Sequence, residues 1–120
     1  MTTKFKQPGD ILDWTNGTGS DVASGDIVGL GDTIAVAIND IPQTETGAVG
    51  VEGVFEVAKK SGTAWSAGDK LDWDTSAGEF HKGLTGATGD IKGCAVAAAS
   101  AASGDTTAWV KLTPGAGTLQ

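Results

Sequence analysis

Gly25-Asp26-Ile27-Val28-Gly29-Leu30-Gly31-Asp32-Thr33-Ile34-Ala35-Val36-Ala37 decides how the rest of the chain reads. Two Gly-Asp pairs bracket a short apolar run and open a second. Gly tolerates positive φ and Asp bonds its own backbone, so each pair predicts a turn with a strand starting just after it. The pair recurs at Gly9-Asp10, Gly68-Asp69, Gly89-Asp90 and Gly104-Asp105. The predicted strands are therefore Ile11–Trp14, Ile27–Leu30, Thr33–Ile38, Lys70–Trp73, Ile91–Ala99 and Thr106–Leu112.

Side-chain alternation supports these segments. In Thr106–Leu112, Ala108, Val110 and Leu112 share one face and Thr107, Trp109 and Lys111 the other. Val49, Val51, Phe55 and Val57 share a parity in Ala48–Lys59, the longest predicted strand, where Gly53 predicts a bulge. Gly supplies 19 of 120 residues, and each interior Gly costs a helix about 1 kcal/mol relative to Ala. Close-spaced short strands predict an all-β, single-domain barrel or sandwich of mostly antiparallel strands with Gly-Asp turns. Residues 9–113 form that domain. Residues 1–8 are expected to be a flexible N-terminal arm and 114–120 a loose C-terminal tail. Lys59–Gly68 reads as a loop anchored by Trp65, and Val96–Ser103 as a strand of small residues leading into a turn.

Pro8–Gly19 (PGDILDWTNGTG) echoes Ala67–Gly78 (AGDKLDWDTSAG), with Leu12/Leu71, Asp13/Asp72 and Trp14/Trp73 aligned. Internal duplication and convergence on one strand-and-turn solution both account for it.

Fifteen acidic residues against eight lysines leave a net charge of −7, with no Arg. Nucleic-acid binders carry basic patches, so binding to DNA or RNA is not expected. No apolar run approaches the ~18 residues of a membrane span. The opening residues lack a signal peptide's apolar stretch, so the expected setting is a cytoplasm or something assembled there. The single cysteine, Cys94, lies in an apolar run and reads as a small buried hydrophobe.

No catalytic apparatus, cofactor site or metal site emerges. His81 is the one histidine, expected exposed at a strand end, with no nucleophile motif beside it. There is no phosphate loop. Asp72–Glu79 begins like a calcium loop, but Ala77 and Gly83 occupy positions where the EF-hand requires Gly and Glu. A hairpin between Trp73 and Phe80 accounts for the same residues.

The order of these motifs resembles the phage capsid cement, or head decoration, family. The pieces that carry it are Gln7-Pro8-Gly9-Asp10, Val22-Ala23-Ser24-Gly25-Asp26-Ile27-Val28, Gly53-Val54-Phe55-Glu56-Val57-Ala58-Lys59, Ala67-Gly68-Asp69-Lys70-Leu71-Asp72-Trp73-Asp74 and Ala108-Trp109-Val110-Lys111-Leu112. The resemblance implies a non-enzymatic protein on the outer surface of a virion, assembled in the host cytoplasm. It would bind the major capsid protein, stabilise the head and sit there as a homotrimer. The short N-terminal arm departs from the family pattern. Lys4-Phe5-Lys6 could still add as a strand to a capsid sheet edge. Trp14, Trp65, Trp73 and Trp109 are the other interface candidates, because Trp is enriched at binding hot spots. A carbohydrate-binding or adhesive β-module on the virion surface is the alternative, with exposed Trp stacking on sugars beside Asp-rich turns.

Overall fold

The computed structural model describes residues 3, 4, 6, 7 and 9–120. The described residues form ten strands: β1 (Ile11–Thr15), β2 (Ile27–Leu30), β3 (Thr33–Ala37), β4 (Thr46–Gly50), β5 (Val54–Ala58), β6 (Lys70–Asp74), β7 (Glu79–His81), β8 (Ile91–Ala97), β9 (Thr107–Leu112) and β10 (Thr118–Leu119). They form two antiparallel sheets. The first has the order β1-β4-β3-β2, and the second β5-β9-β8-β6-β7, with β10 on β8. The second sheet curls until Lys59 meets Phe80 in a single bridge, and the barrel does not close.

Four of the six Gly-Asp turns share one construction. Asp26, Asp69, Asp90 and Asp105 each return their backbone N–H to the carbonyl three residues back. Each carboxylate also accepts the N–H of that same residue: Ala23 at 2.9 Å, Ser66 at 2.9 Å, Ala87 at 2.8 Å and Ala102 at 2.9 Å. Gly25, Gly68 and Gly89 hold φ near +90°, which a type II turn requires at that position. The Pro42–Glu45 turn makes the same backbone bond without the carboxylate cap and puts Thr44 at φ 67° where the others have Gly.

Two expectations need correction. Ala48–Lys59 is two strands in different sheets. Gly53, at φ 127°, is the crossing point between them and not a bulge. Parity alone could not reveal this, because Val49, Val51 and Val57 are all buried, but in different cores. The segment 114–120, expected to be loose, contributes β10. Leu119 N–H bonds Asp32 Oδ1 at 2.8 Å, Gly115 N–H bonds Thr33 Oγ1 at 2.9 Å, and Gln120 N–H bonds the Asp90 carbonyl. Gly117 lies so close to the Asp32 carbonyl and Ile91 that a Cβ would clash.

The topology contains an internal repeat. β1, β2, β3 and β4 correspond to β5, β6, β8 and β9, with β7 and its flanking loops inserted. The registers agree: Leu12↔Val49 with Phe55↔Val110, Val28↔Ala35 with Leu71↔Ala95, and Ala37↔Val49 with Ala97↔Val110. The isolated bridges Val22–Ile41 and Trp65–Ala101 correspond as well. So do the buried positions, pairing Val28 with Leu71, Ala35 with Ala95, Ala37 with Ala97, Val49 with Val110 and Val51 with Leu112. Where Val22 faces Ile41, Trp65 faces Ala101, so a large–small exchange conserves volume, as close packing demands. The echo at Trp14/Trp73 aligns β1 with β6, which are not equivalent strands. The structural partner of β1 is β5, so the echo is convergence.

The halves stack in series. Ile34 and Val36 on one face of β3 join the larger core, beneath the second sheet. Ala35 and Ala37 on its other face join the smaller core.

Candidate functional site

Several aspartates serve the fold as acceptors for backbone N–H groups. Asp72 is buried and accepts the Leu84 and Gly93 N–H groups at 2.9 and 2.7 Å. Asp90, also buried, accepts those of Thr75 and Ala87. Together they pin the inserted loop. The Ser66 N–H, followed by the Lys82 ammonium at 2.9 Å, holds the Asp69 carboxyl below its ordinary value. The Ala77 N–H does the same for Asp74, with smaller contributions from Ser76 and His81.

His81 is half-buried rather than exposed, with Nε2 3.2 Å from Asp74 Oδ2 and 3.6 Å from Glu79 Oε1. No cluster of three or more potential metal ligands occurs among the described residues. Cys94 is fully buried, and burial pushes its thiol up to about 12. The thiolate that a nucleophile needs is thus scarce at neutral pH.

The four tryptophans separate. Trp65 (3% exposed) and Trp73 (9%) are core residues. Trp73 tilts against Phe80 with ring centroids 5.1 Å apart. Trp65 lies beneath the Lys59 ammonium, 4.9 Å from its ring centroid. Trp14 is half-buried against the smaller core. Trp109 alone is exposed, at 57%. It stands on β9 opposite Glu56, and its Nε1–H reaches Glu56 Oε2 at 3.4 Å. Val54, 56% exposed, pairs with Lys111 on the same outward face. An aromatic and a branched aliphatic thus stand on an open sheet face, an arrangement suited to protein contact. Lys4 and Lys6 are exposed and outside any strand, while Phe5 lies outside the described residues.

A groove that no local sequence pattern announces outright lies elsewhere on the molecule. It runs between the edge of β2 and the edge of β5, with Trp14 and Trp73 among its lining residues. The recurrence of Trp beside a Gly-Asp turn is the only hint of it.

Rigid turns, buried carboxylates and an outward aromatic face define a structural β-module built for contact. A family model described as phage cement protein matches residues 6–112. The chain belongs to the phage cement protein family, which gives it a structural, capsid-decorating role. A comparison with curated proteins returned no match.

Proposed function

We propose that this protein binds the outer surface of the phage head through the major capsid protein and stabilises the shell without catalysis. It acts there as a homotrimer, on heads assembled in the host cytoplasm. The observation that carries this reading is the open β5–β9 face. Trp109 and Val54 are more than half exposed, although the fold has buried two of the other three tryptophans. A large aromatic held on a rigid strand loses little conformational entropy when it docks. Three such faces in one trimer would multiply a modest single-site affinity by avidity.

The test mixes purified protein with undecorated heads and follows co-sedimentation and the temperature at which the heads disrupt. Stoichiometric binding with a raised disruption temperature is expected, and Trp109→Ala should weaken both. Failure to co-sediment together with an unshifted disruption temperature would reject the proposal. The alternative, a carbohydrate-binding or adhesive β-module whose exposed Trp stack on sugars, is left with Trp109 as the one largely exposed ring, because Trp65 and Trp73 are core residues.

A further inference from the structure

The groove between the sheets has a volume of about 570 Å³. Among the described residues, one wall is β2, which pairs only with β3, and the other is β5, which pairs only with β9 apart from the bridge just beyond its end. Each edge strand turns alternate N–H and C=O groups away from its own sheet, which is the template an added strand requires. Val22, Trp14 and Trp73 supply an apolar lining, and Asp26 and Glu56 border the groove from opposite walls. Each has one carboxylate oxygen engaged, by Ala23 N–H and Trp109 Nε1–H respectively, and the other oxygen free of any side-chain bond among the described residues. No lysine lines it among the described residues.

The N-terminus of the chain is complementary to this groove. Lys4 and Lys6 precede the first acid, Asp10, whereas residues 10–120 carry fifteen acids and six lysines. Thr3, Lys4, Lys6 and Gln7 belong to no strand. In an extended chain, residues 4 and 6 share one face and residue 5 takes the other. We infer that the groove receives residues 3–7 of a second copy of this chain as an added strand. Phe5 then meets the tryptophan lining, and Lys4 and Lys6 meet Asp26 and Glu56.

The route of the chain favours a second copy over the same molecule. Trp14 borders the groove from near the end of β1. The arm departs from the opposite end, at Asp10, whose carbonyl is tied to Val51 N–H. From Asp10 back to Gln7 the extended chain spans about 10 Å, whereas retracing the five residues of β1 takes about 17 Å. Residues 3–7 of the same molecule therefore fall short of the groove. With one arm given and one groove filled per copy, the contact is head-to-tail and can close into a ring.

The inference concerns the free protein, so it can be tested without any capsid. Sedimentation velocity over a concentration series should show self-association of the full chain. The Lys4→Glu/Lys6→Glu chain and the Glu56→Lys chain should each associate at least tenfold more weakly. Mixed at equal concentration, these two should recover a two-chain complex, since one intact arm then meets one intact groove. Should Glu56→Lys disturb folding, Glu56→Gln takes its place. A synthetic peptide of residues 1–9 should bind the Lys4→Glu/Lys6→Glu chain saturably by tryptophan fluorescence, and salt should weaken that binding. A single wild-type species at all concentrations, unchanged association in the variants, or no recovery on mixing would overturn the inference. Peptide binding to empty heads but not to this chain would also overturn it, and would assign the arm to the shell.

Discussion

Asn16 and Lys59 hold equivalent places at the ends of β1 and β5 and solve the same problem with different chemistry. Asn16 Nδ2 donates to the Ser20 carbonyl at 2.8 Å, and Lys59 Nζ donates to the Thr63 carbonyl at 2.7 Å. Both side chains are almost wholly buried, at 1% and 2% exposure. Each also satisfies a second carbonyl, that of Ile41 or Lys60. A buried ammonium is costly unless bonded, so Lys59 is expected to be a stability residue. Lys59→Met should destabilise the fold by about 2 kcal/mol by leaving the Thr63 carbonyl unpaired. Urea denaturation measures this. A change within 0.5 kcal/mol would contradict the role.

Thr44 takes a left-handed φ in the Pro42–Glu45 turn, which precedes β4 without a Gly-Asp pair. A β-branched residue is strained there. Thr44→Gly should therefore stabilise the protein by about 1 kcal/mol, raising Tm by several degrees. Calorimetry checks this, and a lowered Tm would contradict it.

Trp65 and Trp109 should behave oppositely on truncation. Trp65→Ala empties a core site and should cost about 3–5 kcal/mol. Trp109→Ala on the open face should change stability by no more than about 0.5 kcal/mol. Paired denaturant curves separate the two residues, and equal losses would place Trp109 in the fold rather than on a contact surface.

Acid should loosen the Asp69 and Asp74 turns. Both carboxyls sit below their ordinary value in the folded state. They stabilise above the unfolded carboxyl value of about 4, and that contribution is lost as pH falls through the lower folded value. Tm should thus decline below about pH 4, and Asp69→Asn/Asp74→Asn should flatten the decline. A variant with an unchanged acid slope would assign the loss to other groups.

Cys94 should resist a thiol reagent in the native protein at neutral pH and react once the chain is unfolded in urea, because burial suppresses its thiolate. Rapid native labelling would show that the second sheet opens readily.

The strands were legible because Gly-Asp turns and period-two alternation are local signals. Thr107–Leu112 shows the alternating burial its sequence promised. What escaped was non-local. Gly53 changes sheets without breaking parity, so Val51 and Val57 look continuous in sequence although they enter different cores. Trp14 and Trp73 look like repeats because both stand near the ends of short strands, yet the topological repeat aligns Trp14 with Val57, and β1 and β5 share no identical residue at equivalent places. The true identities, Gly25-Asp26 with Gly68-Asp69 and Ala35–Ala37 with Ala95–Ala97, are too short and too common in type to stand out. The 114–120 segment is Gly-rich because Gly117 must fit against Asp32 and Ile91, where composition alone suggested slack. Among the site residues, exposure of Trp109 followed from its parity on β9. The groove between β2 and β5 depends on how the sheets stack, which no local pattern encodes.

The common strand β3 has a consequence for dissecting the molecule. Its two faces serve separate cores, so cutting the chain at Gly53 would not yield two miniature proteins. The first fragment would present Ile34 and Val36 bare to water, and the second would lose the two side chains they add to its core. Repetition at the level of topology has become dependence at the level of packing, and the two halves stand or melt as one.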